Sequence, residues 1–418
     1  KGPETTAAAG LAAATLINNA IQLGFVVVFS RLLGASGYGA LASIVAAFLI
    51  LVVTGQAVQV AAARETTLGH LGDGPTLTRT LRTWTVTLSS ATVAAVVLGV
   101  LLRAPLAAAL GTPEHPWAVA AIPATGTLWL LLCLQRGTLQ ALSDFRAVAI
   151  SIGGEAALRL LTALGLVAVG LGVTGAFLGS PASFLLLAIW LGAKIHRDAL
   201  GAGHHDAPAD ATHRTLRSLV ADNRVAITGL LLLSVLQNID VILARHAWDG
   251  DRAGSYAVAT VAAKAVVWVA VGVGLQLLPD ATRQAAAGRD PLPALWRALT
   301  VLAIITLPAL LIFLAFPEPL LRIAFGAQLT AASGALPLLG LAMALLAVAY
   351  LSVQYMIGLG ELRFVWAVAP LAVTMPVLLA TLSLSVTGFA SVVLAVQTLV
   401  AAATLGLAFA TRRNRIAA

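Results

Sequence analysis

Twelve runs of roughly 20 apolar residues, joined by short connections, account for almost all of this 418-residue chain. About 20 apolar residues is the length a helix needs to cross the hydrocarbon core of a bilayer. The runs are 8–30, 40–62, 83–102, 117–136, 147–171, 174–193, 225–246, 254–278, 295–316, 333–357, 364–385 and 388–410. Only 10% of the residues are charged, against roughly 25% in a soluble protein, so lipid is the main solvent. Within lipid each backbone polar group must be satisfied inside its own segment, which selects helices for runs of this length. The expected fold is all-α integral membrane, with about 12 transmembrane helices and no large soluble domain. The first run is too long, and too polar at Asn18 and Asn19, to read as a cleaved signal peptide.

The chain also repeats itself. Ala35-Ser36-Gly37-Tyr38 returns as Ala253-Gly254-Ser255-Tyr256, Arg146-Ala147-Val148 as Arg363-Phe364-Val365, and Val173-Thr174-Gly175 as Val386-Thr387-Gly388. The offsets are 218, 217 and 213 residues, so one module occurs twice. Duplicated membrane bundles are mostly transporters. Six spans return the chain to its starting side, so the two repeats share one orientation, with a pseudo-two-fold axis along the membrane normal. The expected organisation is an N-terminal six-helix lobe at 1–193, a linker at 194–224 and a C-terminal six-helix lobe at 225–418, with substrate passing between the lobes.

Charge gives the topology. Eighteen basic residues fall in one set of alternate connections and five in the other. The positive-inside rule then places both termini and the linker in the cytoplasm. The net charge of +8 does not point to nucleic acid, because the basic residues sit at helix ends rather than on one soluble face. The linker holds His196, His204, His205, Asp206, Asp210 and His213, without a specific metal-ligand spacing, so a mobile polar loop is expected and no metal or cofactor. The single Cys133 lies in an apolar run and rules out an intrachain disulfide. No phosphate-binding Gly-rich loop, HExxH or Cys-x-x-Cys pattern occurs, and no enzyme activity is expected.

Charges inside a bilayer cost several kcal/mol, so they mark cavities or partners. Four stand out: Glu155 and Arg159 in the fifth span, Asp240 in the seventh and Lys264 in the eighth. Glu155 and Arg159 share a helix face, with Arg159 about 18 Å along its helix, near the midplane. Either Arg159 binds an anionic headgroup and Glu155 neutralises it when the site is empty, or the two form a self-satisfied pair. Asp240 and Lys264 fall at similar depth on consecutive antiparallel spans. Either Lys264 faces a cavity while Asp240 takes a proton or cation, or the two form a salt bridge that fixes the helices. Asn18, Asn19 and Gln22 in the first span match Gln237 and Asn238 in the seventh, and Gln56 and Gln59 lie in the second. Such amides line cavities or hold helices together. Pro181, Pro308, Pro337, Pro370 and Pro376 are hinge candidates.

Arg31-Leu32-Leu33-Gly34 through Tyr38-Gly39, Asn238-Ile239-Asp240-Val241 followed by Ala253-Gly254-Ser255-Tyr256, and Gly358-Leu359-Gly360 resemble the polysaccharide and oligosaccharide-lipid exporters. These are O-antigen-type flippases of the multidrug/oligosaccharidyl-lipid/polysaccharide (MOP) exporter superfamily, and the resemblance spans about residues 10–410. It implies two parallel six-helix, MATE-like lobes around a central cavity in the bacterial cytoplasmic membrane. It implies flipping of a polyprenyl-pyrophosphate-linked oligosaccharide by alternating access, with Arg159 or Lys264 holding the pyrophosphate. Asn18, Asn19, Gln22, Gln56, Gln237 and Asn238 would then line the substrate path, and Glu155 and Asp240 would couple to ions. The implied partners are the lipid-linked sugar, membrane lipid and a polysaccharide polymerase or glycosyltransferase. The low basic charge of the first two spans departs from lipid II flippases, which have fourteen spans, and argues against lipid II as cargo. Two alternatives stand beside the flippase: a cation-coupled multidrug antiporter, and a non-transporting scaffold of an envelope assembly complex.

Overall fold

The computed structural model describes residues 3–71, 74–201, 218, 220–221, 224–287 and 289–417. Among them, ten helical stretches are long and apolar enough to cross a membrane. Two are double length, Ile17–Thr67 with 51 residues and Phe145–Arg197 with 53, and each breaks internally at glycine. Counted as broken pairs, they accommodate the twelve crossings expected from the sequence.

Helix α1 (Pro3–Thr67) turns at Gly34, whose φ of 68° is open to glycine at little steric cost. The apolar runs 8–30 and 40–62 predict a loop at 31–39. The structure keeps this stretch helical except at Gly34, and Arg31 is an exposed helical residue. Helices α2 (Gly74–Leu101), α3 (Arg103–Ala109), α4 (Pro116–Ala120), α5 (Ile122–Ala141) and α6 (Phe145–Leu166) follow. A π-helical turn at Val167–Leu171, with Gly170 at φ 93° and Gly172 at φ 50°, leads into α7 (Gly172–Gly201). The later helices are α8 (Arg224–Ala247), α9 (Gly250–Ala286), α10 (Leu292–Ala315), α11 (Pro317–Phe325), α12 (Leu336–Gly358), α13 (Phe364–Thr381) and α14 (Val386–Ala417).

The chain forms two compact units. One comprises Lys1–Leu32 and Ala47–Arg224, the other Leu33–Ala46 and Val225–Ala418. In the first, α5 packs on α2 and α7, and α7 on α6. In the second, α12 packs on α9, α10 and α14, and α13 on α14. The two units are alike in burial. The stretches ending in α5 and α12 are the central struts, 67% and 61% buried, whereas α2 and α10 are the outermost, at 17% and 22%. A short helix, α3 or α11, follows the outermost one in each unit. Trp117, Trp296 and Trp366 are exposed near the starts of α4, α10 and α13, as expected of residues at a membrane–water boundary.

Leu33–Ala46 joins the second unit through glycine. A Cβ on Gly254 would fall 1.9 Å from the Ala35 carbonyl oxygen, and one on Gly39 would fall 2.9 Å from Gly254 Cα. The copies of the duplicated Ala-Ser-Gly-Tyr motif therefore meet backbone to backbone. Pro181, Pro308, Pro370 and Pro376 lie inside helices, but Pro337 sits in the first turn of α12, where its missing N–H breaks no hydrogen bond, so it is not a hinge.

Candidate functional site

Two polar clusters lie inside the helical units, one in each. In the second unit, Tyr256, Thr260 and Lys264 recur every four residues along α9 and form one stripe. This stripe meets Asn238 and Asp240 on α8. Asp240 is fully buried. The Tyr256 hydroxyl donates to Asp240 Oδ2 at 2.9 Å, and the Thr260 hydroxyl to the same oxygen at 3.4 Å. Asp240 Oδ1 has no hydrogen-bond partner. Lys264 Nζ donates to Asn238 Oδ1 at 3.0 Å. The Asn238 amide is set for this: its Nδ2 donates to the Ser234 carbonyl at 2.8 Å, which turns its oxygen toward the ammonium. Trp248, Tyr256 and Phe389 stack beside the cluster, and Gln397 Nε2 donates to the Leu236 carbonyl at 2.9 Å.

The salt bridge weighed for Asp240 and Lys264 is not formed. Each takes neutral partners. The sequence reading missed Tyr256 and Thr260, yet their four-residue spacing from Lys264 was available as a signal.

In the first unit, Glu155 pairs with Arg136, not with Arg159. Arg136 Nη2 lies 2.9 Å from Glu155 Oε2. The same guanidinium donates to Ser151 Oγ at 2.9 Å and to the Ser151 carbonyl at 2.8 Å. It lies 5.6 Å from the Trp129 ring, whose Nε1 donates to the Val52 carbonyl at 2.8 Å. Glu155 is thus held by Arg136, and neither the intrahelical Glu155–Arg159 pair nor neutralisation of Arg159 by Glu155 is formed. The apolar run 117–136 predicts a helix end at Arg136. α5 in fact runs on to Ala141, and the apolar residues after Gly137 carried that signal. Arg159 is half-buried, its guanidinium 5.0 Å over the Phe25 ring. Its Nε is buried without a partner, and no described carboxylate pairs with it.

The amides are dispersed. Asn18, Asn19, Gln22, Gln59 and Gln237 are half-buried and Gln56 is exposed. Asn18 and Asn19 make one long contact with each other, at 3.5 Å, and of these amides Asn238 alone joins a charged group. Among the described residues no three His, Cys, Asp or Glu side chains gather as metal ligands. His204, His205, Asp206, Asp210 and His213 lie outside the described residues, and His196 is exposed.

No family model matches the sequence, and no curated protein matches it significantly. Solved structures do match. An inward-facing multidrug resistance MATE family transporter of the MOP superfamily is similar with a TM-score of 0.75 at 12% identity, over 98% of each chain. The lipid II flippase MurJ in an inward closed conformation gives 0.74 at 13%, over 95% of this chain and 87% of that one. The Vibrio cholerae MATE transporter VcmN in its bent form gives 0.60 at 15%, over 98% of each. At these identities the likeness speaks for the fold: this chain has the helical membrane fold that MATE transporters share with MurJ.

Proposed function

We propose that the protein is a MOP-type transporter that moves an anionic lipid-linked saccharide, of the polyprenyl-pyrophosphate class, across the bacterial cytoplasmic membrane by alternating access, with both termini cytoplasmic. The observation that carries this reading is the state of Arg159 and Lys264, the cations inside the spans that make no carboxylate pair among the described residues. Arg159 has an aromatic face and an orphaned Nε, and Lys264 has one neutral amide. Neither is neutralised by a carboxylate among the described residues. Bare cations at this depth are costly, and a pyrophosphate supplies the missing charge with several acceptor oxygens. The same pattern weakens Glu155 as an ion-coupling residue, because Arg136 occupies it.

A second reading is a proton- or cation-coupled multidrug antiporter, favoured by Asp240, a buried carboxylate with no cation bonded to it. The test is flipping of a fluorescent polyprenyl-pyrophosphate sugar in proteoliposomes. Arg159→Gln and Lys264→Gln are expected to reduce it by about tenfold or more each, the loss of one charge-assisted contact. Wild-type protein that flips no such carrier, yet extrudes cationic drugs against an ion gradient, refutes the flippase reading in favour of the antiporter.

A further inference from the structure

Asp240 is fully buried, yet only one of its two carboxylate oxygens is satisfied. Both hydroxyl donors, from Tyr256 and Thr260, go to Oδ2. An ionised carboxylate in such surroundings needs donors or a cation on both oxygens, whereas a protonated carboxyl uses one oxygen to hold its own O–H. The nearby ammonium behaves accordingly. Lys264 stands one turn beyond Thr260 on α9, close enough for its charge to act on Asp240. It is bonded instead to the neutral oxygen of Asn238. An ammonium that takes an amide with a carboxyl group nearby indicates that the carboxyl is uncharged.

The surroundings supply no other charge. Among the described residues, Lys264 is the one charged group acting on Asp240. Tyr256 is the titratable group in contact with it. The Leu33–Ala46 segment carries Tyr38 and no acidic or basic residue, and α12 brings Tyr350 and Tyr355. α14 brings Phe389 and Gln397 to this end of α8 and α9. Arg245 and His246 lie at the end of α8, Arg297 near the start of α10, and the Glu318–Arg322 pair is exposed on α11.

We propose that Asn238 and Asp240 are alternative seats for the Lys264 ammonium and that one proton on Asp240 chooses between them. With the proton on Oδ1, Lys264 rests on Asn238 and keeps its charge for a phosphate-bearing headgroup. When that proton leaves to water, the ammonium moves to the ionised carboxylate and the anion loses its counter-charge. Anion binding and proton binding are therefore coupled, each strengthening the other by the same factor. This rests on the reading of Lys264 as an anion-binding residue.

The test uses the full chain in lipid nanodiscs, with farnesyl pyrophosphate as the probe. Infrared difference spectra are expected to show a carboxylic-acid carbonyl band that Asp240→Asn removes and that disappears as pH rises. Over the same range, calorimetric affinity for the probe is expected to fall by up to about tenfold per pH unit, the limit for one linked proton. Asp240→Asn should flatten that slope at the high affinity of the acid side. Lys264→Gln should lower acid-side binding to the weak level that the wild type reaches at high pH, and shift the titration of the acid band. The absence of any Asp240-dependent acid band, or an Asp240→Asn protein with an unchanged pH slope, overturns the two-seat proposal. A wild-type protein that binds no pyrophosphate, but whose acid band still titrates and responds to Lys264→Gln, upholds the two seats and overturns the pyrophosphate reading.

Discussion

Removing one member of the buried Arg136–Glu155 pair should be far more damaging than removing both. The Arg136 guanidinium makes three close hydrogen bonds, two to Ser151 and one to Glu155, all at 2.8–2.9 Å. Both side chains are almost wholly withdrawn from solvent, at 4% and 9% exposure. Arg136→Met strands an ionised carboxylate in this setting, and breaking a buried pair in this way costs about 3–5 kcal/mol. Replacing both partners by apolar groups of similar size is close to neutral or favourable. Arg136→Met with Glu155→Leu should therefore recover most of the loss, a coupling of about 2–3 kcal/mol in a double-mutant cycle. The assay is equilibrium unfolding in mixed detergent micelles, followed by tryptophan fluorescence. Refutation is an Arg136→Met protein destabilised by under about 1 kcal/mol, or a double variant as unstable as the sum of its single changes. The same double variant separates structure from coupling. If Glu155 serves only to hold α5 against α6, the variant transports; if Glu155 couples to an ion, it folds and does not.

Gly254→Ala should destabilise the protein by about 1–3 kcal/mol through overpacking, because the new Cβ meets the Ala35 carbonyl at 1.9 Å. Gly153→Ala, with nothing within 4 Å of its Cβ, should instead stabilise α6 by about 0.5–1 kcal/mol, and thermal melting of the two variants checks both signs. Asp144 caps α6 through the Ala147 amide at 3.0 Å and pairs with Lys194 at 2.8 Å. Partial burial pushes its carboxyl upward, but the Lys194 and Ala147 hydrogen bonds and the Lys194 and Arg146 charges outweigh this and hold it below the ordinary 3.8. Its contribution is thus present above that value and lost as pH falls through the lower folded value. Asp144→Asn keeps the cap but loses the Lys194 pair and should cost under about 1 kcal/mol near neutral pH, and melting curves of wild type and variant should converge on strong acidification.

The helical class was legible in the sequence because lipid leaves a long apolar run one way to satisfy its backbone. The internal repeat was read from motifs that recur at nearly constant offsets of 218, 217 and 213 residues. Local spacing failed where partners were concerned. Glu155 and Arg159, four residues apart, lie on one face of α6, but Glu155 bonds to Arg136, 19 residues back on another helix. A shared helix face brings two side chains near each other, whereas the geometry of a buried ion pair is set by which helix packs alongside and which further donors and acceptors it brings. Ser151 fixes the Arg136 fork, and nothing in the sequence of α6 alone announces that. Lys264 is the mirror case, since equal depth on adjacent helices suggested Asp240 and packing delivered Asn238. The sequence by itself determined that this chain is a helical membrane protein, because that follows from local apolarity. The tertiary structure alone decided which buried charges are neutralised and that Leu33–Ala46 packs into the second unit, because both depend on contacts between residues far apart in the chain.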